Sequence, residues 1–521
     1  MSVKNCLISV FNKDNLDVLV PYLEENNYNI YTTGGTYAVI QGLIKDKNRV
    51  ISISDYTTFP EICSGRVKTL HPKIYGGILG LRDVQSHLDD LHRNDCILFD
   101  MVVVNLYPFE KVLEDKEKTN ICEETLLENI DIGGHTLLRA AVKNYKYIQV
   151  LSDPRQYVDI QTLSITSNYE LAKRAISSVM KYDIAINNWL QGLHNSENDT
   201  RSSDQTCIGI SYNKFRDMKY GLNPYMKPSS VYIKNGDKAP FKVLNGNPGY
   251  INLLDVQYAI RLVLEVKRQL NRECCASFKH NSPAGVTTGI NSLECVKSAR
   301  NVDAKSSFGD IIGFSGTVTK EIAEHLKKVV SDGIVAHRFT EEALQILKTK
   351  KNGNYLVIEQ QAVNKGIEFR DINGITLMQP TNNSVLSRSK LESVSHEIQN
   401  SMILGYHTLK YTQSNCVCFV YEDTVIGIGS GQQNRVDCVR IAGNKAKLWF
   451  DKQGLDIKQV NNIVLVSDAF FPFADNIDVA AEYNTQYILQ PGGSIRDYDI
   501  ISACEKYNMK IVMSNQRVFT H

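Results

Sequence analysis

No stretch of this 521-residue chain approaches the roughly 20 consecutive apolar residues that a membrane-spanning helix needs. No Cys-x-x-Cys occurs among its 12 cysteines, which stand singly apart from Cys274-Cys275 and the near pair Cys416/Cys418. That argues against a zinc ribbon and a disulfide framework, and reads as the reduced core thiols of a cytosolic protein. Surplus charge is missing too. A net charge of +1 makes nucleic acid or an anionic membrane, recognised by bulk charge, an unexpected partner. A local pocket for one small anion remains compatible with it. The start, Met1-Ser2-Val3-Lys4-Asn5-Cys6-Leu7-Ile8, runs straight into strand-like residues without a signal-peptide layout. Internal repeats, low-complexity tracts and clusters of metal-ligand residues are lacking as well.

What is present is an ordinary globular composition, 43% hydrophobic and 22% charged, in a chain too long for one core; two to four domains or subdomains are expected. From Val3 to about Ser152, apolar runs alternate with amphipathic stretches. Strands are expected at Leu7–Val10, Tyr28–Thr32, Val50–Ile53, Met101–Leu106 and Ile148–Leu151, and helices at Leu16–Glu25, Thr36–Leu43 and Thr136–Lys143. Such alternation predicts a doubly wound parallel α/β sheet with ligands at the strand C-termini. Thr32-Thr33-Gly34-Gly35-Thr36 follows the second strand and opens a helix, an arrangement that binds phosphate. In Ser64-Gly65-Arg66-Val67-Lys68-Thr69, an extended backbone would put Arg66 and Lys68 on one face, against the plainer reading of a charged edge strand. Further on, Asp131 precedes Gly133-Gly134 and Lys143 ends the helix after them; the carboxylate and the lysine would meet if both reached one pocket.

Residues 170–190 have the spacing of a long helix, with Leu171, Ala175, Val179 and Ile186 apolar. Asn195 to Gln205 is polar and reads as a linker. Beyond it a helix is expected from Asp255 to Leu270, leading into Cys274–Phe278 as a buried strand that ends in Lys279-His280 and is stopped by a Pro283/Gly285 turn. A cation beside an imidazole at a strand end suits an anionic substrate and its protons, whereas a lone Lys-His pair is more often plain surface. Ser306–Asp310 and Val330–Gly333 read as turns. Gly427-Ile428-Gly429-Ser430-Gly431 resembles a dinucleotide fingerprint, but it lacks the final glycine and an acidic ribose partner. Phe470-Phe471-Pro472-Phe473-Ala474-Asp475-Asn476 sets aromatics beside a carboxylate and an amide, fit for a flat heteroaromatic ligand or, more blandly, for a core corner.

Taken together and in order, SGRVKTLHP (64–72), NLYPF (105–109), IDIGG (130–134), TLLRAAVKN (136–144), FKHNSPAG (278–285), SSFGD (306–310), KYTQSN (410–415), GQQNR (431–435) and SDAFFPFADN (467–476) resemble the family of bifunctional purine-biosynthesis enzymes. That family carries AICAR formyltransferase and IMP cyclohydrolase activities, and the resemblance spans nearly the whole chain. It implies a methylglyoxal-synthase-like domain over residues 1–195, a linker over 196–215 and a formyltransferase domain of two cytidine-deaminase-like subdomains over 216–521. The deaminase zinc signature is absent, so metal-free chemistry is implied. For the cyclohydrolase, the resemblance implies substrate binding by Ser9, Lys13, Thr33, Gly34, Gly35, Thr36, Arg66, Thr69 and Asn105, with Lys68, Tyr107, Asp131 and Lys143 around the reacting groups. For formyl transfer it implies His280 as base, Lys279 as its partner and Asn415 on the carboxamide. Lys219, Tyr220, Gly309, Asp332, Arg435, Phe470, Arg517 and His521 would hold AICAR. Val436, Pro472, Phe473, Asp475, Asn476 and Phe519 would hold the folate of the co-substrate 10-formyltetrahydrofolate. A cytoplasmic homodimer that takes AICAR and formyl-AICAR and releases IMP is implied, without nucleic acid or membrane as partner.

The chain departs from the family pattern in places. Lys219 stands where an Arg usually precedes Tyr-Gly, losing a bidentate fork. Tyr225-Met226 replaces His-Gln, Phe11-Asn12 replaces a polar pair, Ala474 and Lys305 differ, and the segment from Gly289 to Lys305 is short. Weakened binding at the formyltransferase site is the implied consequence. Two rivals stay open: a regulatory nucleotide-binding module, which would not need the reactive cluster of Lys68, Tyr107, Asp131 and Lys143, and a dehydrogenase built on the 427–431 glycines.

Overall fold

Five apolar runs of the first 152 residues become five strands, β1 (Lys4–Val10), β2 (Tyr28–Thr32), β3 (Val50–Ser52), β4 (Met101–Asn105) and β5 (Gln149–Leu151). All pair in parallel, in the order β3-β2-β1-β4-β5. β4 is buried along its whole length, because helices cover both faces of a parallel sheet; hence its unbroken Met-Val-Val-Val run instead of alternation. The order reverses between β1 and β4. There the connections leave in opposite directions and open a crevice at the strand C-termini, the usual ligand position in such sheets. Helix Leu16–Glu25 has the expected bounds, while Gly34–Leu43 and Gly133–Lys143 start two and three residues earlier than the apolar spacing suggested, at their glycines.

The computed structural model describes residues 3–116, 122–158, 166–191, 207–235, 237–360 and 366–521. The chain divides into two compact units, Met1–Asn213 and Lys214–His521. Helix Asn168–Leu190 closes the first unit, burying Leu171, Ala175 and Val179. Most of the stretch read as a linker lies outside the described residues, and β6 (Tyr212–Met218) begins inside its expected bounds of 196–215.

The second unit is built on one mixed sheet of 11 strands. After the separate hairpin of β6 with β7 (Ser229–Lys234) come β8 (Lys242–Asn245), β9 (Glu273–Lys279), β10 (Ser282–Gly289), β11 (Asp310–Val318), β12 (Ser331–Phe339) and β13 (Leu356–Glu359). A second separate hairpin, β14 (Ile367–Ile372) with β15 (Ile375–Pro380), precedes β16 (Val417–Tyr421), β17 (Thr424–Gly429), β18 (Val464–Ser467), β19 (Tyr487–Gln490) and β20 (Lys510–Met513). Across the sheet the order is β20-β19-β18-β16-β17-β10-β9-β11-β12-β13-β8.

Its two halves repeat one another. In each, a helix (Tyr250–Leu270 or His396–Lys410) leads into an antiparallel hairpin (β9–β10 or β16–β17). The hairpin's first strand pairs antiparallel with a third (β11 or β18), and two parallel strands follow. β10 and β17 join the halves in antiparallel register, Val286 opposite Val425. The two long helices share a continuous core on one face, where Val256, Val263, Met402 and Leu409 meet Ala276, Phe278 and Val466. Other helices cover the opposite face over two separate cores.

Three local expectations are corrected. The turn after Lys279 is not made by Pro283 and Gly285, which lie within β10 at a register shift. It is made by His280 and Asn281, both left-handed at φ 55° and 58°, the pair of positive angles that suits a two-residue hairpin. Helix Tyr250–Leu270 starts five residues before Asp255, so this carboxylate is a buried residue of the helix body and not a cap. Ser331 to Gly333, read as part of a turn, instead begin β12.

Candidate functional sites

In the first unit, contacts close a ring around the β1/β4 crevice. Asn105, the last residue of β4, accepts from the backbone N–H of Phe11 and Asn12 through Oδ1, both at 2.8 Å, and donates to the Asn12 carbonyl at 2.8 Å. This fixes the loop after β1, and Ser9 sits just before that loop, opposite Val104. Lys13 Nζ donates to the carbonyls of Val10 and Phe11, each at 2.8 Å. Burial lowers the Lys13 pKa, and the nearby Lys68 ammonium lowers it further. The Phe11 ring meets Tyr107 edge-on at 5.5 Å, so one departure from the family pattern packs against a candidate reactive residue.

Across the crevice, Thr33 precedes helix Gly34–Leu43, and Thr33 and Thr36 are buried. Gly34 has φ 32°, and a Cβ on Gly35 would meet open space, which leaves the helix start accessible to an anion. Lys68 reaches this turn, its Nζ 4.0 Å from where a Cβ on Gly34 would stand. It passes 2.7 Å from where a Cβ on Gly65 would stand, measured at Lys68 Cε, and the left-handed φ of 86° there favours glycine. Thr69, buried, approaches Gly133, where Oγ1 would stand 2.9 Å from an added Cβ. Asp131 Oδ1 accepts from the Gly134 N–H at 2.7 Å, and the Asp131 N–H donates to Tyr182 Oη at 2.8 Å. Burial raises the Asp131 pKa, opposed by the backbone N–H groups of Gly134 and Tyr107 and by the charge of His135. A carboxylate held partly desolvated, with backbone N–H groups and the His135 charge beside it, can orient or deprotonate an amide.

Two expected convergences do not form. Cys63 to Gly65 make a short 3-10 turn with positive φ at all three residues, so the 64–69 segment is not extended and Arg66 parts from Lys68. Arg66 instead pairs with Glu128, both well exposed. Lys143 ends the helix that Gly133 begins, roughly 15 Å away at 1.5 Å per residue, so within this chain it does not meet Asp131. It lines a groove of about 370 Å³ with Leu79, Arg139 and Ile176.

In the second unit, residues far apart in sequence gather on one edge of the large sheet. β9 and β18 end there, β11, β12 and β16 begin there, and β17 runs out toward Gln432. Lys279 Nζ donates to the Phe308 carbonyl at 2.6 Å. That turn is braced from beneath by a buried ion pair, Arg300 Nε to Asp310 Oδ2 at 2.9 Å, with Arg300 Nη2 also donating to the Ser307 carbonyl at 2.8 Å. His280, exposed at the hairpin tip, adjoins Asp255, whose Oδ1 accepts from the Asn281 N–H at 2.7 Å. Burial raises the Asp255 pKa, the Asn281 N–H and the His280 charge lower it, and Asp332 raises it again. Gly309 adjoins Asp332, which pairs with Lys351.

Farther along the same edge, Asn415 Nδ2 donates to the Gln432 carbonyl at 2.9 Å and Oδ1 accepts from Arg435 Nη2 at 2.9 Å. Arg435, buried, also binds Asp468 Oδ1 at 2.7 Å and the Phe470 carbonyl at 3.2 Å. The C-terminal residues are tied down here. The Arg517 guanidinium lies 4.5 Å from the Phe519 ring centroid, Phe519 meets His521 edge-on at 5.6 Å, and the Thr520 carbonyl accepts from the Ser414 N–H at 2.9 Å. Val436 follows Arg435 in the first turn of helix Arg435–Lys452 and is half-buried. Pro472 and Phe473 lead into helix Asp475–Glu482, with Arg496 stacked 4.8 Å from the Phe473 ring and Asn476 Nδ2 donating to the Phe473 carbonyl at 3.1 Å. Lys219 and Tyr220 follow β6, the ammonium 5.9 Å from its neighbour's ring. From Lys279 to Asn415 the sheet order counts three inter-strand steps, about 14 Å, so the unit presents two separated clusters.

Glu61, which pairs with Lys68, and Glu128, Asp255 and Asp468, which hold the other cations and turns, were not expected as site residues. Their partners are distant in sequence, and only Asp255 had drawn notice, as a helix start. Among the described residues no three His, Cys, Asp or Glu side chains gather as a metal would require, and no helix is long and apolar enough to cross a membrane.

Comparison with known proteins bears on both units. The family model described as AICARFT/IMPCHase bienzyme matches residues 141–445, and that of an MGS-like domain matches residues 16–136. The bifunctional purine biosynthesis protein PurH of Clostridium acetobutylicum is 36% identical over 532 residues, covering 100% of both chains. PurH of Clostridium botulinum strain 657 is 36% identical over 534 residues with the same coverage. A solved structure described as "Crystal structure of ForH" aligns with 36% of this chain and 97% of its own at 26% identity, with a TM-score of 0.29.

Proposed function

This chain belongs to the AICARFT/IMPCHase bienzyme family, and on that premise we propose how its two units divide the chemistry. It is a bifunctional enzyme of purine biosynthesis, an AICAR formyltransferase and an IMP cyclohydrolase. We assign ring closure to the β1/β4 crevice. The substrate phosphate takes the Thr33–Thr36 helix start, with Ser9, Lys13 and Thr69 beside it, where amides and ammonium groups favour an anion. The carboxamide nitrogen attacks the formyl carbon and water leaves. Both reacting ends belong to one molecule, so positioning carries most of the acceleration. Asp131 orients the attacking amide, Lys68 stabilises the developing oxyanion and protonates the departing hydroxyl, and Asn105 and Tyr107 shape the pocket. Arg66 reaches the phosphate by leaving Glu128, and Lys143 has no part in the pocket of its own chain.

Formyl transfer belongs to the edge of the large sheet. The 5-amino group of AICAR is a weak nucleophile because the ring delocalises its lone pair, so it needs a base as it attacks the formyl carbon of 10-formyltetrahydrofolate. His280 takes that proton, and Asp255 beside it favours the imidazolium that results. Lys279, anchored on the Phe308 carbonyl, stabilises negative charge on the formyl oxygen. Asn415, its amide fixed by Gln432 and Arg435, holds the carboxamide. Gly309, Asp332, Lys219, Tyr220, Phe470, Arg517 and His521 complete the nucleotide site. The exposed Phe473 with Val436, Pro472, Asp475, Asn476 and Phe519 takes the folate ring. The two clusters lie about 14 Å apart along one edge, which supports a homodimer in which one copy's His280 cluster works with the other's Asn415 cluster. A cytoplasmic setting suits the reduced cysteines.

The observation that carries this reading is that residues scattered from Lys279 to His521 share one sheet edge. The test follows AICAR-dependent consumption of 10-formyltetrahydrofolate and formation of IMP in one reaction. Expected are IMP from wild type, loss of formyl transfer alone in His280→Ala, and accumulation of formyl-AICAR in Lys68→Ala. Cyclisation of supplied formyl-AICAR without any folate consumption by wild type would refute the second assignment.

A further inference from the structure

The cations of the 66–68 segment each carry a carboxylate partner. Arg66 pairs with Glu128 at 67% and 56% side-chain exposure, and Lys68 with Glu61, Nζ to Oε2 3.6 Å, at 33% and 31%. The second pair is the better shielded, and Glu61 does more than face a lysine. Its Oε1 lies 3.3 Å from where a Cβ on Gly34 would stand, and its Oε2 3.6 Å from the same point on Gly65. The carboxylate therefore rests against the helix start assigned above to the substrate phosphate, where the first-turn amides present partial positive charge. It occupies the surroundings of an anion.

We propose that Glu61 is the resident counter-ion of the cyclohydrolase pocket: it holds Lys68 beside the Thr33–Gly35 turn while the pocket is empty, and it gives way to the phosphate when the nucleotide binds. The inference rests on the assignment of that turn to phosphate. A phosphate carries nearly two negative charges, and a carboxylate a few ångströms away opposes its entry. Glu61 thus works in two directions. It weakens phosphate binding, and it keeps the Lys68 ammonium where ring closure uses it. Glu61 is a positioning residue, acting through Lys68.

The experiment measures kcat and KM for cyclisation of formyl-AICAR, and inhibition by inorganic phosphate, in the full chain. Glu61→Gln keeps the shape and removes the charge. The expected outcome is a split: KM and the phosphate inhibition constant fall about threefold to fivefold, the range of a partly exposed ion pair, while kcat falls about tenfold. Glu61→Asp, with the charge withdrawn by one methylene, shifts both in the same directions by less, and it decides the matter if the Gln variant does not fold. Asp90→Asn, which breaks the solvent-exposed pair of Asp90 with Arg93 in the same unit, moves KM less than twofold. A fall in kcat at unchanged KM in the Gln and Asp variants, the pattern of a damaged fraction, overturns the proposal. If phosphate fails to compete with formyl-AICAR in wild type, the phosphate assignment itself falls; if it competes but Glu61→Gln leaves its constant unchanged, only the role of Glu61 does.

Discussion

Glu265→Gln should destabilise the second unit by roughly 3–5 kcal/mol at pH 7, because it leaves an ammonium buried without its partner. Glu265 Oε2 lies 2.8 Å from Lys410 Nζ and 3.3 Å from His407 Nδ1, with Glu265 12% exposed and both partners 1%. Burial raises the Glu265 pKa, but His407 and Lys410 outweigh it and bring the carboxyl from 4.5 down to about 2. Burial lowers the pKa of His407, which leaves Lys410 as the main charge partner. At 1.36 kcal/mol per pH unit, the Glu265 depression is worth roughly 3 kcal/mol of stability. The folded pKa lies below the unfolded one, so this contribution is complete above pH 4.5 and is lost as the pH falls toward 2. The gap between wild type and Glu265→Gln should therefore narrow by about 2 kcal/mol between pH 7 and pH 3. Urea unfolding in a Trp189→Phe background checks it, since the chain has 2 tryptophans and Trp449, the other, reports on the second unit. A gap that does not change with pH would refute the reasoning. The same variant should weaken formyl transfer while sparing cyclisation: the Lys410 carbonyl accepts from Thr520 Oγ1 at 2.7 Å, and Thr520 precedes His521.

Asp131→Asn should abolish the acid limb of the cyclohydrolase pH profile, a limb expected above the usual carboxylate range because burial raises this pKa. It should cut kcat by at least about 100-fold. The unfolding temperature should hold or rise, since a raised carboxyl pKa opposes stability at neutral pH. Arg300→Met should cost about 3–5 kcal/mol by orphaning the buried Asp310, and formyl transfer should fall with it because the Phe308 carbonyl that anchors Lys279 loses its brace; intact formyl transfer in a folded variant would remove that link. Lys143→Met should leave cyclisation within about threefold of wild type, as befits a side chain roughly 15 Å down the helix from Gly133. A loss of tenfold or more would mean that the lysine is delivered from another copy of the chain.

Much of the first unit was legible because its chemistry is local. Met101-Val102-Val103-Val104, short, apolar and mostly β-branched, reads as a strand covered on both faces, and Thr33-Gly34-Gly35-Thr36 marks both a strand end and a helix start. The misreadings came where backbone sign decides. Pro283 and Gly285 are stronger turn formers by composition than His280-Asn281, yet asparagine accepts a left-handed angle readily and the histidine is carried into one beside it. Alternation failed for Arg66 and Lys68 because Arg66 itself is right-handed helical (φ −66°, ψ −25°), directly after three positive φ angles that curl the chain at Cys63–Gly65. The spread of the formyltransferase residues along one edge was beyond sequence reading, since it depends on β16 pairing between β17 and β18, and no local pattern encodes that register.

The repeated strand order of the second unit bears on its ancestry and its engineering. An axis through the sheet between β10 and β17 exchanges the halves and carries the His280 turn onto the Glu422-Asp423 turn at the opposite edge. A doubled ancestral module would have had two equivalent mouths, one at each edge. In this chain the residues proposed for formyl transfer line one, while the other is closed by Arg272 reaching across to Asp423 and by Thr288 N–H donating to the Asp423 carbonyl at 2.8 Å. Function has been allotted to one of two places the architecture offers. The vacant mouth, with the same scaffold beneath it, is where insertions or a newly designed pocket can be introduced at least risk to either reaction.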